Sequence, residues 1–430
     1  MNSKKYIYIS TIIFFVLIIN YWNAKKNLSH DYISVNNDVI FIDTHIDFKR
    51  DILKSHTDPW ISPIKYCVKS PVNKENVKTA ISDIEKNTCI RFQQHENCNN
   101  DSQEMVFESG QGCSSYVGHV SENHSQVITL SSGCYINPYI ILHEIGHALG
   151  LVHEHSRIDR DEYVKIDVNS LANTEDKNYK IISNKNYFNY STAYDYSALM
   201  HYAPYDFATF WRWAFGYPVI APKLHWQYSR MMGQRRKMTF NEYKRVNLCY
   251  CNWCNWVDNS TGKRIKNDKN NKNDKKTKND IADCKNGGYP DFRNCSKCLC
   301  PTGYTGDSCR DVVKTKDNCG ETTYKNVNYT GASLILRGKM NCNIFLQADN
   351  KTKKVELNVM YANAPYRNKI CTEDVGYQFK YRKDKGATGL LLCGTYIQNT
   401  IVTSESDSIL VIYKGESGHS LLTLFFKQID

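Results

Sequence analysis

The 430-residue sequence predicts an α+β domain built around one buried helix, then a small disulfide-stapled module, then an all-β sandwich. Three observations carry this expectation. Tyr139-Ile140-Ile141-Leu142 is an apolar lead into His143-Glu144-Ile145-Gly146-His147, the pattern of a helix buried in a core. Cys284, Cys295, Cys298, Cys300 and Cys309 crowd a stretch too short to bury a core of its own. From Cys319 to Asp430, short alternating segments such as Ser333–Leu336 and Ser408–Ile412 are separated by turn residues, as in a sandwich. A chain of this length exceeds one ordinary core, which agrees with several domains.

At the N-terminus, Lys4 and Lys5 precede an apolar run from Tyr6 to Trp22, which reads as a secretory signal over residues 1–24. The cleavage region Trp22-Asn23-Ala24 is poor, and the run is near the lower length of a membrane span. A signal anchor therefore stays open as an alternative. Lys49-Arg50 is a dibasic processing site, so residues 25–50 read as a propeptide and Asp51 as the first mature residue. Val77, Ile81 and Ile84 have helical spacing ahead of Cys89. Gly112 to Gly133 alternates as strands do, between Cys113 and Cys134.

His143 and His147 stand one helical turn apart on one face, so both imidazoles can reach a single metal. Gly150 can take the left-handed conformation that stops a helix and returns His153 to the same point. Three neutral nitrogen donors suit one Zn²⁺ and leave a fourth position open, as in catalytic zinc centres. Glu144 follows the first ligand, where a carboxylate can hold a water.

Seventeen cysteines imply an oxidising, secreted environment. The net charge of +11 does not argue for nucleic acid, because much of it sits in a Lys/Asn/Asp tract between Gly262 and Lys285. Such a tract lacks the apolar residues needed to fold. Residues 255–283 thus read as a linker or insert. Sequons at Asn100, Asn123, Asn189, Asn259, Asn328 and Asn350 fit a secreted glycoprotein, and another at Asn294 abuts Cys295.

The run Glu154-His155-Ser156-Arg157-Ile158-Asp159-Arg160-Asp161-Glu162-Tyr163 continues the histidine motif, and Ser197-Ala198-Leu199-Met200-His201-Tyr202 follows. Together these resemble the astacin family of zinc endopeptidases, within the metzincins. Cys89–Phe92, Gly112–Gly118 and Gly233-Gln234-Arg235 resemble its framework segments. The resemblance covers residues 51–254 and implies a two-lobed α+β metzincin catalytic domain with an active-site helix. It further implies one Zn²⁺ on His143, His147 and His153, with Glu144 as general base and Met200 in the turn beneath the metal. Tyr202 would be a further zinc ligand at rest that moves to stabilise the oxyanion. Glu154 would pair with the new N-terminus, and Trp60 would lie shortly after it. Cys89–Cys251 and Cys113–Cys134 match the two family disulfides, which leaves Cys67, Cys98 and Cys249. Three cysteines cannot all pair within one chain, so a thiol or an intermolecular bond is expected. Family propeptides block the zinc with an aspartate; Asp43 is the nearest match, one residue out of register.

Residues 284–309 resemble an EGF-like module with Cys254 as its first cysteine and pairs Cys254–Cys295, Cys284–Cys298 and Cys300–Cys309. Residues 319–430 resemble a CUB domain, with Cys319–Cys342 and Cys371–Cys393. This order is common in nematode astacins. The resemblance implies extracellular structural or matrix proteins as substrates, with matrix or glycan contacts through the C-terminal modules. A catalytically silent matrix-binding relative and a processing protease for secreted precursors stay open. Residues around Ser115 to His119 are expected to form the edge strand that pairs with substrate. Trp211, Trp213, Phe215 and Tyr217 are expected to pack the lower lobe.

Overall fold

The computed structural model describes residues 52–53, 59–98, 103–120, 124–171, 176–182, 187–265, 281–315, 317–367 and 369–430. The expected signal or anchor, the propeptide with Asp43, the Lys49-Arg50 site, Asn100, Asn123 and residues 266–280 of the basic tract lie outside these. Among the described residues, no helix is long and apolar enough to cross a membrane. The chain divides into two compact units: Met1–Phe188 with Tyr202–Lys223, and Asn189–His201 with Leu224–Asp430.

The first unit opens with β1 (Ile52–Leu53) and then builds a five-stranded sheet. Its strands are β2 (Ile64–Val68), β3 (Phe92–Gln94), β4 (Glu104–Ser109), β5 (Cys113–Ser114) and β6 (Gln126–Leu130), in the order β3-β2-β4-β6-β5. All neighbours are parallel except β5, which runs antiparallel to β6 at the edge. The parallel pairing of β2 with β3 needs a crossover, supplied by the helix Lys74–Asn87. Asn73 caps that helix by accepting from the N–H groups of Glu75 and Asn76, and Val77, Ala80, Ile81 and Ile84 form its buried face. It packs beside a second helix, Pro138–Ala148. Strands β7 (Val164–Ile166) and β9 (Ile220–Pro222) pair with each other, and β8 (Tyr187–Phe188) pairs with β1.

Two expectations for this unit are corrected. The edge strand ends at Ser114, and Ser115–His119 is a bend. Gly118 sits at φ 78°, its N–H reaches the His147 carbonyl at 2.8 Å, and the chain turns onto the helix instead of staying extended. Trp211, Phe215 and Tyr217 are not packed but exposed, at 57%, 69% and 56%. The helix Phe210–Ala214 is too short to bury them; Trp211 stacks on Phe215 at 6.0 Å and the Arg212 guanidinium lies 5.4 Å from the Tyr217 ring.

The second unit holds the strap Asn189–His201, the helix Phe240–Tyr250, two hairpins and a sandwich. Strands β10 (Tyr289–Asp291) and β11 (Asn294–Leu299) form one hairpin, and β12 (Tyr304–Thr305) and β13 (Asp311–Val312) the other. Disulfides Cys254–Cys295, Cys284–Cys298 and Cys300–Cys309 staple this region. The sandwich strands are β14 (Thr323–Val327), β15 (Ala332–Arg337), β16 (Met340–Ala348), β17 (Lys354–Ala364), β18 (Tyr377–Lys380), β19 (Leu390–Leu392), β20 (Gly394–Tyr396), β21 (Thr400–Thr403), β22 (Ser408–Gly415) and β23 (Leu421–Ile429). One sheet runs β14-β16-β22-β18-β19, the other β15-β23-β17-β20 with β21 also on β17. Disulfides Cys319–Cys342 and Cys371–Cys393 lie within it. Strands β16 and β23 alternate buried and half-exposed residues, as a sandwich requires. By contrast β22 is buried almost throughout, because Tyr304 and Cys309 of the stapled region pack on its Leu410 and Ile412.

Candidate active site

The helix Pro138–Ala148 begins where proline is best tolerated, with Asn137 accepting from the Tyr139 N–H. Every residue from Ile140 to Ala148 is buried, including His143, Glu144 and His147. The helix ends because Gly150 sits at φ 99°, a conformation L side chains rarely adopt. The Gly150 N–H donates to the His147 carbonyl at 2.7 Å and its own carbonyl accepts from Leu53 at 2.8 Å. The chain then returns His153 to the helix.

Three ring nitrogens converge as a result. His153 Nε2 lies 3.3 Å from His143 Nε2 and 3.2 Å from His147 Nε2. The three donor atoms all fall within 4.8 Å of one another. Ligands at 2.0–2.1 Å from one tetrahedral metal stand roughly 3.3 Å apart, so the donor set fits zinc. His147 Nδ1 lies 2.8 Å from the Leu151 carbonyl, which can only accept. The proton is therefore on Nδ1 and the Nε2 lone pair points to the centre. Exposure of the three rings is 0–1%, an expensive place for polar nitrogens unless they bind something.

Tyr202 is 1% exposed and lies against this cluster, its ring centroid 4.3 Å from His153 and 4.1 Å from His155. Tyr179 and Phe207 complete its surroundings at 5.7 and 5.4 Å. The Tyr179 hydroxyl donates to the Asp206 carbonyl at 2.6 Å, and the Ala203 N–H donates to the Asp206 carboxylate at 2.8 Å. Phe207 adopts φ 59°, which turns the chain back over Tyr202. His155 packs, as the sequence reading held: it stacks on His153 at 5.2 Å with Nε2 3.0 Å from the Asn178 carbonyl. Sequence reasoning missed Tyr179 and Phe207, which carry no motif of their own.

Glu154 is fully buried with Arg157, whose Nη1 donates to it at 3.2 Å while Nε and Nη2 grip Asp159 at 2.8 and 2.9 Å. Met200 is fully buried in the second unit; its N–H and that of Leu199 donate to the Glu242 carboxylate at 2.9 and 3.0 Å. The His201 ring lies 2.7 Å from the Tyr194 hydroxyl. Cys113 pairs with Cys134, and Cys67 pairs with Cys98. Cys89 and Cys251 are each disulfide-bonded. Cys249 stays a thiol, hydrogen-bonded with the Tyr190 hydroxyl. Asn259, Asn294, Asn328 and Asn350 are exposed, and Asn189 is half-buried with its side-chain oxygen accepting from Ser191.

A buried helix carrying two histidines and a glutamate, with a third histidine returned by a glycine turn, is a zinc centre of the metallopeptidase class. Residues 52–251 match the peptidase family described as Astacin, and this segment belongs to the astacin family. Among curated proteins, the chain is 29% identical over 406 residues to "Zinc metalloproteinase nas-34" of Caenorhabditis elegans, covering 93% of this chain and 58% of that protein. It is 28% identical over 374 residues to "Zinc metalloproteinase nas-23" of the same organism, covering 84% and 62%. The chain thus spans about six tenths of the length of these relatives. Among solved structures it is similar to "High choriolytic enzyme 1 (HCE-1), a hatching enzyme zinc-protease from Oryzias latipes (Medaka fish)". That match has 29% identity and a TM-score of 0.38, and covers 43% of this chain and 86% of that one.

Proposed function

We propose that the protein is a secreted zinc-dependent endopeptidase that hydrolyses peptide bonds in extracellular structural or matrix proteins. The observation that carries this reading is the convergence of His143, His147 and His153 Nε2 with Glu144 buried on the same helix turn. Bound there, zinc would supply Lewis-acid polarisation of the scissile carbonyl and acidify water. Glu144 accepts the proton of the attacking water at its carboxylate and delivers it to the leaving amine. The Tyr202 hydroxyl donates to the developing oxyanion, and its ring is steadied by His155, Tyr179 and Phe207. Buried Glu154, held by Arg157, is the acceptor for an N-terminus released by processing after Arg50.

Sixteen disulfide-bonded cysteines support an oxidising, extracellular destination. The stapled hairpins of residues 284–309 act as an EGF-like module and the sandwich of residues 319–430 as a CUB-like one, offering matrix or glycan contacts. The test compares the zinc-loaded chain starting at Asp51 with its Glu144→Gln variant on denatured collagen and casein, with and without a chelator. The expected result is cleavage by the parent alone, with the variant slower by about 10²–10⁴-fold. A processed, zinc-loaded parent that cuts neither substrate would overturn the reading.

A further inference from the structure

We propose that the C-terminal sandwich is part of the catalytic apparatus, its loop 383–388 clamping the strap that leads into Tyr202. Asp384 and Asp195 are then positioning residues for that tyrosine. The inference rests on the role given to Tyr202 above.

A module that merely targets an enzyme should touch it through an exposed, replaceable surface. Here the strap spends its own polar groups on the sandwich. The Ala193 N–H donates to the Asp384 carboxylate at 2.9 Å, and Asn241 on the helix Phe240–Tyr250 donates to the same oxygen at 3.1 Å. Asp195, 1% exposed, accepts from both the N–H and the hydroxyl of Thr388 at 3.0 Å. Its other oxygen accepts from Ser197 within the strap at 3.0 Å. A buried carboxylate that loses such partners is left with a large desolvation cost, so strap and loop specify each other. Burial opposes the charge on Asp384, but Lys244 and the N–H groups of Ala193 and Gly386 hold its carboxyl below the ordinary range.

The fit is close enough to fix residue types. A Cβ on Gly386 would lie 2.4 Å from Asn241 Oδ1, and one on Gly287 would lie 2.3 Å from Asp384 Oδ1. The loop thus seats the strap, the helix and the stapled region at one place. The strap ends at His201, one peptide bond before Tyr202, so a strap released at Ala193 and Asp195 loosens the backbone that aims the Tyr202 hydroxyl.

The experiment uses the full mature chain with Asp384→Ala and the milder Thr388→Val, each in the parent and in a Tyr202→Phe background. Kinetics on a peptide substrate are read with zinc content and hydrogen exchange. The expected result is kcat lowered about tenfold by Asp384→Ala and about threefold by Thr388→Val. KM should stay within about twofold and zinc at about one per chain. Neither change should lower kcat further in the Tyr202→Phe background, because the clamp acts through that residue. Strap amides, Ala193 first, should exchange faster while the helix Pro138–Ala148 is unchanged. Full additivity with Tyr202→Phe, or unaltered kcat and strap exchange, would overturn the proposal. If the parent itself is inactive, the proposed function fails; strap exchange then decides the clamp alone, with faster exchange supporting it and unchanged exchange refuting it.

Discussion

Replacing Glu242 by glutamine should destabilise the second unit by about 3–4 kcal/mol although volume and shape are kept. The Glu242 carboxylate is buried and accepts four hydrogen bonds. One oxygen takes the N–H of Leu199 at 3.0 Å, the N–H of Thr239 at 2.7 Å and the hydroxyl of Thr239 at 3.0 Å; the other takes the N–H of Met200 at 2.9 Å. A glutamine serves the first three best with its carbonyl, which turns its NH₂ towards Met200. One buried N–H then loses its acceptor, at about 1–3 kcal/mol. The three bonds that remain lose charge assistance, at about 0.5 kcal/mol each. For a body of this size, each kcal/mol moves the melting temperature by about 2–4 °C, so the shift should be roughly 6–15 °C. Calorimetry on the zinc-loaded parent and variant measures it, with the second unit's transition as the readout. A shift below about 3 °C would mean that the carboxylate does not organise this turn.

Gly150→Ala should cost about 2–3 kcal/mol, from a φ of 99° unsuited to alanine and a Cβ placed 3.2 Å from the Leu53 carbonyl oxygen. It should also weaken zinc retention against a graded chelator, because His153 moves with the turn; unchanged retention would refute the geometry. Burial, helped by Lys380, pulls the Lys385 ammonium from the ordinary 10.5 down to about 7. The unfolded chain holds that proton to higher pH, so between pH 7 and 10 unfolding takes up a proton and stability rises with pH. Lys385→Met should flatten that rise in melts at pH 6, 8 and 9.5, and an identical slope would count against a buried, depressed lysine. Thiol titration of the denatured, unreduced chain should find one thiol, Cys249, and Cys249→Ser should abolish it. Three thiols would mean that Cys67 and Cys98 are not joined.

The histidine helix was legible because its chemistry is local: a spacing of four, an apolar lead and a glycine seven residues after His143 all act within three turns. The strands of the sandwich were legible where one face meets the core, as in β16 and β23. The rest depends on contacts that no local window contains. Strand β22 shows no alternation because a separate stapled region covers its second face. Ser115–His119 reads as extended in sequence, yet Gly118 bends it onto the helix; a Cβ there would lie 2.6 Å from the Leu53 side chain. Trp211 and Phe215 look like core residues by composition, but the helix that carries them is five residues long and has no second layer over it. Cys67 finds Cys98 only after β2 has paired in parallel with its neighbours. Tyr179 and Phe207 become visible only once their rings are seen around Tyr202.

The hydrogen bonds between Asp195 and Thr388 join residues separated by 193 positions. A ribosome adding about 5–20 residues per second makes Thr388 roughly 10–40 s after Asp195. Throughout that interval the strap exists without the partner that satisfies its carboxylate. The order of synthesis therefore sets the earliest moment at which this turn can settle. A nascent chain stalled short of the sandwich would carry every histidine of the site and still lack the support built last.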